Sequence, residues 1–590
     1  MLLILPPLIQ PNTFYPSTTH LTAYLNAVGI KTSQFDLSIT LLDTILSKKR
    51  LATLFPEAEN HKLNRRQRSI IANASYYIEN VEQVKSFLRG NDTELAPLYA
   101  SLAFWQDMPR LDNEEELSWD YGTSGTIDRA KHLCSLFMKN ICELLEVVDP
   151  HFQFIRYAEK ICTYLSTFDI LQKELRKPVS PIVRIMLELL DDRLKTESHD
   201  YIGLSVPFPG NLLTALHIAR HIKTRYPDTR IIMGGGYVNT ELRQITDTAI
   251  FDYIDYLCFD DGELPIRHIA EGKPLIRTIS RENGNLVRHD MDNHDTDSIY
   301  TITQPIRLTT GLPLDKYFNF TDSTNPMHRL WSDGRWNKMM LAHGCYWHKC
   351  AFCDTTLDYI GNFFPHDIPR VVDIMEQFIA ETGCRGFHFI DEAAPPARLK
   401  ALSEEILCRN LRVSFWTNIR FDRSFTTELC QLLARAGCIA VSGGIEVASS
   451  RVLKLINKGV TIDSVRLSLR NLTDCGIMVH AYLMYGFPTQ SVAELYDSLS
   501  TVRDLFADGL VQSAFWHRYA MTCHSPSGQH PELYNARHIT DTPNHFANNE
   551  IAYIEENQPD WGKFTAGLNL ATYNFMRQTG FDFPVKKWFK

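Results

Sequence analysis

The chain has 590 residues, 44% of them apolar and 22% charged, the composition of an ordinary globular protein with length for about three or four domains. A net charge of −9 provides no basic field, which excludes a general nucleic-acid binder. The thirteen cysteines are odd in number and mostly scattered singly, which argues for a reducing compartment. Cys134, Cys142, Cys162, Cys258, Cys408, Cys430 and Cys475 are expected to be small buried hydrophobes. The opening Met1-Leu-Leu-Ile-Leu-Pro-Pro lacks a positive flank and is cut by prolines, so it does not read as a signal peptide. No window approaches the roughly 18 apolar residues of a membrane span. A cytoplasmic location without membrane contact is the expectation.

Leu2 to Leu5 is a short apolar run before Pro6-Pro7, which predicts a buried parallel strand. Thr18 to Val28 has helical spacing and stops at Gly29. Lys31 to Leu37 reads as a second strand, giving a right-handed βαβ opening. The alternation then breaks. From about residue 40 to 195 the spacing is helical, as in Ile182 to Leu194 after the start signal Ser180-Pro181, and the stretch is read as a helical insertion of unassigned role.

The α/β pattern resumes with a strand from Tyr201, a helix over Leu212 to Tyr226, and a strand running into Gly234-Gly235-Gly236. Asp252 to Cys258 is expected to be the next strand, and Glu263 to open a helix after Asp260-Asp261-Gly262. Glycines at a strand end let backbone approach a bulky or anionic ligand, but they also serve plain turns. The GxGxxG dinucleotide pattern is absent, so NAD or FAD is not favoured. Residues 280 to 337 are polar and turn-rich, with Asn283-Gly284 marking a hairpin.

From residue 338 strands and helices alternate with near-constant period. Strands are predicted at Lys338 to His343, Gly386 to Ile390, Val413 to Thr417, Ile439 to Ser442, Met478 to Tyr485 and Ser513 to Tyr519. Directly after the first lies Gly344-Cys345-Tyr346-Trp347-His348-Lys349-Cys350-Ala351-Phe352-Cys353-Asp354. Three thiols within nine positions can converge on one small volume. Structural zinc wants four ligands, usually as two separated pairs, and no second CxxC pair follows. Three thiolates suit a cubane iron–sulfur cluster with one iron left open.

This stretch resembles the cysteine loop of the radical S-adenosylmethionine (radical SAM) enzymes, which reads CxxxCxxC with an aromatic residue before the last cysteine, here Phe352. The first gap departs from that pattern by holding four residues, Tyr346 to Lys349. The resemblance implies a partial (β/α)6 barrel over 338–529 with a [4Fe-4S] cluster on Cys345, Cys350 and Cys353. It also implies SAM contacts at the C-terminal strand ends, where such barrels gather reactive groups. Asp391 and Glu392 would meet the SAM amino group, unless they merely complement a helix dipole. Arg420 would pair with the SAM carboxylate, or be an ordinary surface arginine. Gly443, Gly444 and Glu446 resemble the ribose-binding segment, and Tyr485 and Gly486 the adenine side. Trp516, His517, Tyr519, Cys523 and Ser525, on and after the sixth strand, are candidates for facing substrate, although packing is commoner for such residues.

The region before the barrel is similar to the cobalamin-binding Rossmann-like domain of one radical SAM subgroup. Gly234, Gly235, Gly236 and Glu263 would line the corrin, and the DxHxxG motif of other cobalamin proteins is absent. The implied architecture is α/β. A Rossmann-like domain (1–40 and 196–280) carries the helical insertion (41–195), and a hairpin-bearing linker (281–337), the barrel and a C-terminal extension (530–590) follow. The implied activity is reductive cleavage of SAM to a 5′-deoxyadenosyl radical, with an electron donor of flavodoxin or ferredoxin type. Cobalamin-dependent methylation of an unactivated carbon is the first choice. Alternatives are a radical SAM reaction of another type, or a structural iron–sulfur protein. No catalytic residue is assigned, and a small molecule or peptide is the expected substrate.

Overall fold

The computed structural model describes residues 1–106, 108–109, 125–152, 167–290, 297–321, 323–539 and 545–589. The chain forms two compact units. One holds Met1–Thr324, Arg329–Arg335 and Asn544–Ala547; the other holds Asn325–His328, Trp336–Pro543 and Asn548–Lys590. Among the described residues no helix is long and apolar enough to cross a membrane.

The first unit is built on a seven-stranded sheet. Its strands are β1 (Leu2–Leu5), β2 (Ser33–Asp36), β3 (Tyr201–Ser205), β4 (Arg230–Gly234), β5 (Tyr256–Cys258), β6 (Thr278–Glu282) and β7 (Asn285–His289). They lie in the order β2-β1-β3-β4-β5-β6-β7. The first five are parallel, and β6 and β7 are added antiparallel. β1 is entirely buried, as a strand flanked on both sides and covered on both faces must be. Asp36 ends β2 and accepts a hydrogen bond from Ile39 N at 2.9 Å, capping the next helix.

Helices then run from Leu37–Ile45 to Pro181–Leu194 between β2 and β3, so the expected insertion occupies one crossover. Its core packs on Thr126–Val148, where Phe137 stacks on Tyr77 at 4.9 Å. The strand expected over Asp252 to Cys258 is shorter, because Ala249–Asp252 is a 3-10 turn. Asn283 and Gly284 both take positive φ, 48° and 84°, as a tight hairpin of matching twist requires. That hairpin extends the sheet.

The second unit centres on a six-stranded, all-parallel sheet in the order β15-β14-β13-β12-β11-β8. Its chain begins with β8 (Trp336–Met339) and the short antiparallel pair β9 (Ala342–His343) and β10 (Phe364–Pro365). β11 (Gly386–Phe389), β12 (Ser414–Ile419), β13 (Cys438–Glu446), β14 (Met478–Tyr485) and β15 (Ser513–Arg518) follow. A last antiparallel pair is β16 (Ala536–His538) with β17 (Tyr553–Glu555). Helices Ile368–Thr382, Pro396–Cys408, Thr427–Ala436, Ile462–Asp474 and Val492–Ala507 separate the main strands, so the α/β expectation holds. β13 runs past the expected Ser442 to Glu446, with a register shift between Gly444 and Glu446. Its two glycines therefore lie within the ladder.

Of the cysteines expected inside, Cys134, Cys142, Cys258 and Cys430 are buried, Cys475 is half-buried and Cys408 is exposed. Cys408 is the last residue of its helix, where the apolar face has ended. Cys162 lies outside the described residues.

Candidate active site

The cysteine loop follows β8 and β9, beyond the C-terminal end of the first sheet strand. It begins at Gly344, whose φ of +72° is open to glycine, and where a Cβ would collide with the carbonyl of Asn362. Cys345 N donates to Ile360 O at 3.2 Å, and Ala351 N to Ile456 O at 2.9 Å. Ser527 grips the Ala351 carbonyl with its backbone N at 2.9 Å and its hydroxyl at 2.7 Å. The long first gap is filled. Tyr346 Oη donates to Asp422 at 3.0 Å, and Trp347 Nε1 to Asn457 O at 2.9 Å. His348 takes φ +34° with its Nδ1 at 2.9 Å from Cys345 O. The extra residue is thus absorbed in a turn that folds back on the first cysteine.

Cys350 is buried, and Cys345 and Cys353 are half-buried. The Cys350 thiol is pulled below its ordinary value by its hydrogen bond with Cys353, then by the charges of Lys458 and Arg420. That favours the thiolate a metal needs. Three thiols on one loop, with cations beside them, suit a metal cluster held by thiolates.

Two buried cations define the rest of the site. Lys458 Nζ lies 2.8 Å from Glu446 Oε1 and 5.6 Å from the Phe352 ring centre. Burial lowers the Lys458 pKa, but Glu446 and the Cys350 and Cys353 sulfurs outweigh it and hold the amine above its ordinary value. Gly444 makes room for this pair, since a Cβ there would collide with Glu446 Oε1. Gly443 lies against Ile419 O and the Phe421 ring. Arg420 is 5% exposed, so it is no surface arginine. Its guanidinium carbon sits 4.2 Å from the Trp347 ring centre, and one terminal nitrogen donates to Lys458 O at 2.7 Å. Its Nε is buried without a hydrogen-bond partner. An open donor beside the cysteine loop is what an incoming carboxylate would satisfy.

The two acidic residues after β11 part company. Asp391 is 1% exposed and receives the backbone N–H groups of Leu341, at 3.0 Å, and Ala342, at 2.9 Å. It therefore secures the chain leaving β8. Glu392 is exposed, yet ringed by enough protein that desolvation pushes its carboxyl up to about 7, opposed by His343. Asp391→Ala is expected to cost about 2–4 kcal/mol, because two buried donors lose their acceptor. Glu392→Gln should change stability by no more than about 0.5 kcal/mol. Denaturant unfolding of the two variants checks the contrast.

Tyr485 is buried and shares a 2.7 Å hydrogen bond with the Thr565 hydroxyl. Gly486 N donates to Gln490 at 2.6 Å. Trp516 Nε1 donates to Thr572 at 2.8 Å, and Tyr519 Oη shares a 2.8 Å hydrogen bond with Ser527, so both pack rather than present themselves. Ser525 caps Pro526–Gln529, Cys523 Sγ lies 3.7 Å from Asn549 Oδ1, and His517 is exposed. In the first unit, a Cβ on Gly235 or Gly236 would press on the backbone of Val206 or Pro207, at 2.7 and 2.8 Å. The glycine run thus lets the turn after β4 lie on the turn after β3. Gly234 ends β4, with its Cβ direction 3.3 Å from Cys258 O. Glu263 is half-buried at the start of Glu263–Glu271.

Sequence reasoning missed Lys458, Trp347 and the bracing of Asp354 by Thr522 and Asn549. The signal for Lys458 was present, because Asn457-Lys458-Gly459 is a turn tripeptide just past a short helix.

Residues 339–502 match the sequence profile of the radical SAM superfamily. An uncharacterized methyltransferase of Pyrococcus horikoshii is 23% identical over 325 residues, 53% of this chain and 66% of that protein. An anaerobic magnesium-protoporphyrin IX monomethyl ester cyclase of Rubrivivax gelatinosus is 29% identical over 167 residues, 28% of this chain and 30% of that protein. The chain thus spans just under two thirds of the first relative and under a third of the second. Among solved structures, the cobalamin-dependent S-adenosylmethionine radical enzyme OxsB with aqua-cobalamin and SAM bound superposes with a TM-score of 0.52 at 14% identity. That match covers 76% of this chain and 71% of that one, and is a likeness of fold.

Proposed function

Starting from the membership of this chain in the radical SAM superfamily, as a radical SAM enzyme, we propose that it methylates an unactivated carbon with cobalamin as methyl carrier. The observation that carries the radical half is the cysteine loop with Arg420 and Lys458 beside it. Cys345, Cys350 and Cys353 would hold a [4Fe-4S] cluster, which supplies the electron for reductive cleavage of SAM. The chain's own residues position the co-substrate. Arg420 Nε, buried and open, would take the SAM carboxylate. Glu392 would accept from the amino group, which leaves Asp391 to its backbone role. Glu446 would accept from the ribose, held in place by Lys458. The electron would come from a donor of flavodoxin or ferredoxin type.

The cobalamin half is supported by the first unit. Its strand order β2-β1-β3-β4-β5 is the doubly wound order whose ligand site lies at the β1/β3 switch point, outside the carboxyl ends of the strands. There the Ser17 and Ser205 hydroxyls pair at 2.7 Å, and the turns after β3 and β4 lie together through Gly235 and Gly236. These hydroxyls and backbone groups would hold the corrin, with Glu263 at the rim, and the group would supply a transferable methyl.

The test is anaerobic purification from cobalamin-fed cells, reconstitution, and incubation with SAM and a low-potential reductant. A corrin absorbance and 5′-deoxyadenosine are the expected results. Cobalamin-free protein with full substrate turnover would sink the methylation and leave the radical chemistry. Intact iron content with no 5′-deoxyadenosine would leave the cluster a structural role.

A further inference from the structure

The six-stranded sheet has two unlike faces. Phe387, Phe389, Phe415 and Val479 are all fully buried on one of them, as a helix-covered face of an α/β sheet requires. The alternate positions carry Lys338, His388, Trp416, His480, Tyr482 and His517. Register places Lys338 beside His388 and His388 beside Trp416 on adjacent strands. A parallel sheet covered by helices on both sides is apolar on both, and this second face departs from that pattern.

Burial holds the His388 and His480 imidazoles neutral, which leaves them as hydrogen-bonding groups beside one ammonium. The Lys338 ammonium is 8% exposed on β8, and desolvation lowers its pKa to about 8. The His388 ring lies flat on Trp416, with centroids 3.4 Å apart and planes 8° from parallel. That stacking fixes the direction of its edge, and its Nε2 is buried without a hydrogen-bond partner. Farther along the face His480 is tied through Nδ1 to the Ser513 hydroxyl at 2.8 Å, while Phe515 is 40% exposed.

We propose that Lys338 and His388 together seat an anionic oxyacid group of the substrate on this face. An ammonium and an imidazole Nε2–H on neighbouring strands offer two donors to two oxygens of one carboxylate or phosphate. Tyr482 and Phe515 give its apolar body an aromatic wall. The assignment rests on the proposed function, since this sheet carries the cysteine loop at its C-terminal end.

The experiment uses the full-length reconstituted protein and three probes titrated calorimetrically: 1-naphthoate, 1-naphthyl phosphate and the neutral 1-naphthamide. At least one anion should bind about tenfold or more tightly than the amide, and the tighter of the two identifies the oxyacid. Lys338→Met and His388→Gln should each reduce that preference to about twofold or less. Equal binding of all three probes, no binding of any, or an unchanged preference in a folded variant would overturn the proposal. Should Lys338→Met fail to fold, His388→Gln decides alone. Cleavage of SAM by the wild-type protein is measured separately. Cleavage without anion preference sinks only the substrate assignment, whereas anion preference lost on His388→Gln without cleavage sinks only the radical reading.

Discussion

Cys350→Ala is expected to yield protein that loses cluster iron and sulfide after reconstitution and forms 5′-deoxyadenosine only at background level. Cys350 is the buried member of the three, and it shares a hydrogen bond with Cys353 beside the charges of Lys458 and Arg420. Removing its sulfur leaves two thiols, too few to hold a cubane with a single open iron. Cys345→Ala and Cys353→Ala should behave alike, because each also takes one of the three ligands. The fold should survive, since Ala351 on the loop is anchored to Ile456 and Ser527 by its backbone. Iron and sulfide analysis, the visible absorbance of the reconstituted protein and product chromatography read the three effects independently. Cleavage that persists in all three variants would refute the cluster assignment.

Lys458→Met is expected to destabilise the second unit by about 3–5 kcal/mol, the usual cost of leaving one charge of a buried ion pair without its partner. Glu446 would be stranded at 8% exposure, in a left-handed conformation with φ 59°, against Gly444. Adding Glu446→Gln should recover most of the loss, which separates the cost of an unpaired charge from that of lost packing. The pH dependence has a definite sign. Because the Lys458 pKa is raised in the folded protein, its stabilisation is complete below the ordinary lysine value of about 10.4 and fades only as pH rises through the folded value. The gap in thermal midpoint between wild type and Lys458→Met should therefore not shrink as pH rises from about 6 to about 9. A gap that closes at pH 8 would mean that the pair is not what Lys458 contributes.

Much of this protein was legible from local pattern. Apolar runs bounded by prolines and glycines marked β1, and regular alternation marked the six strands of the second sheet, since each of those strands is set by its own residues and its neighbouring turns. The spacing of Cys345, Cys350 and Cys353 with Phe352 marked the loop for the same reason, because the chemistry is written in a few adjacent positions. Boundaries slipped where a ladder continued through residues that look like a loop. Gly443 and Gly444 stay in β13 because the absence of a Cβ lets the strand pass Ile419 and leaves room for the Glu446 carboxylate.

What only the tertiary structure decided is the division of labour among neighbours of like chemistry. Asp391 and Glu392 are adjacent carboxylates that no pattern separates, yet one caps the backbone at Leu341 and Ala342 and the other stands exposed. Arg420 and Lys458 are far apart in the chain and meet beside the cysteines through a 2.7 Å hydrogen bond. Lys338 and His388 become one donor set only because β8 and β11 pair in that register. The sequence alone placed most of the strands and the cysteine loop, because those signals are short-range. Which side chain is buried, which is paired and which is left open depends on contacts between distant segments, and those exist only once the sheet has formed.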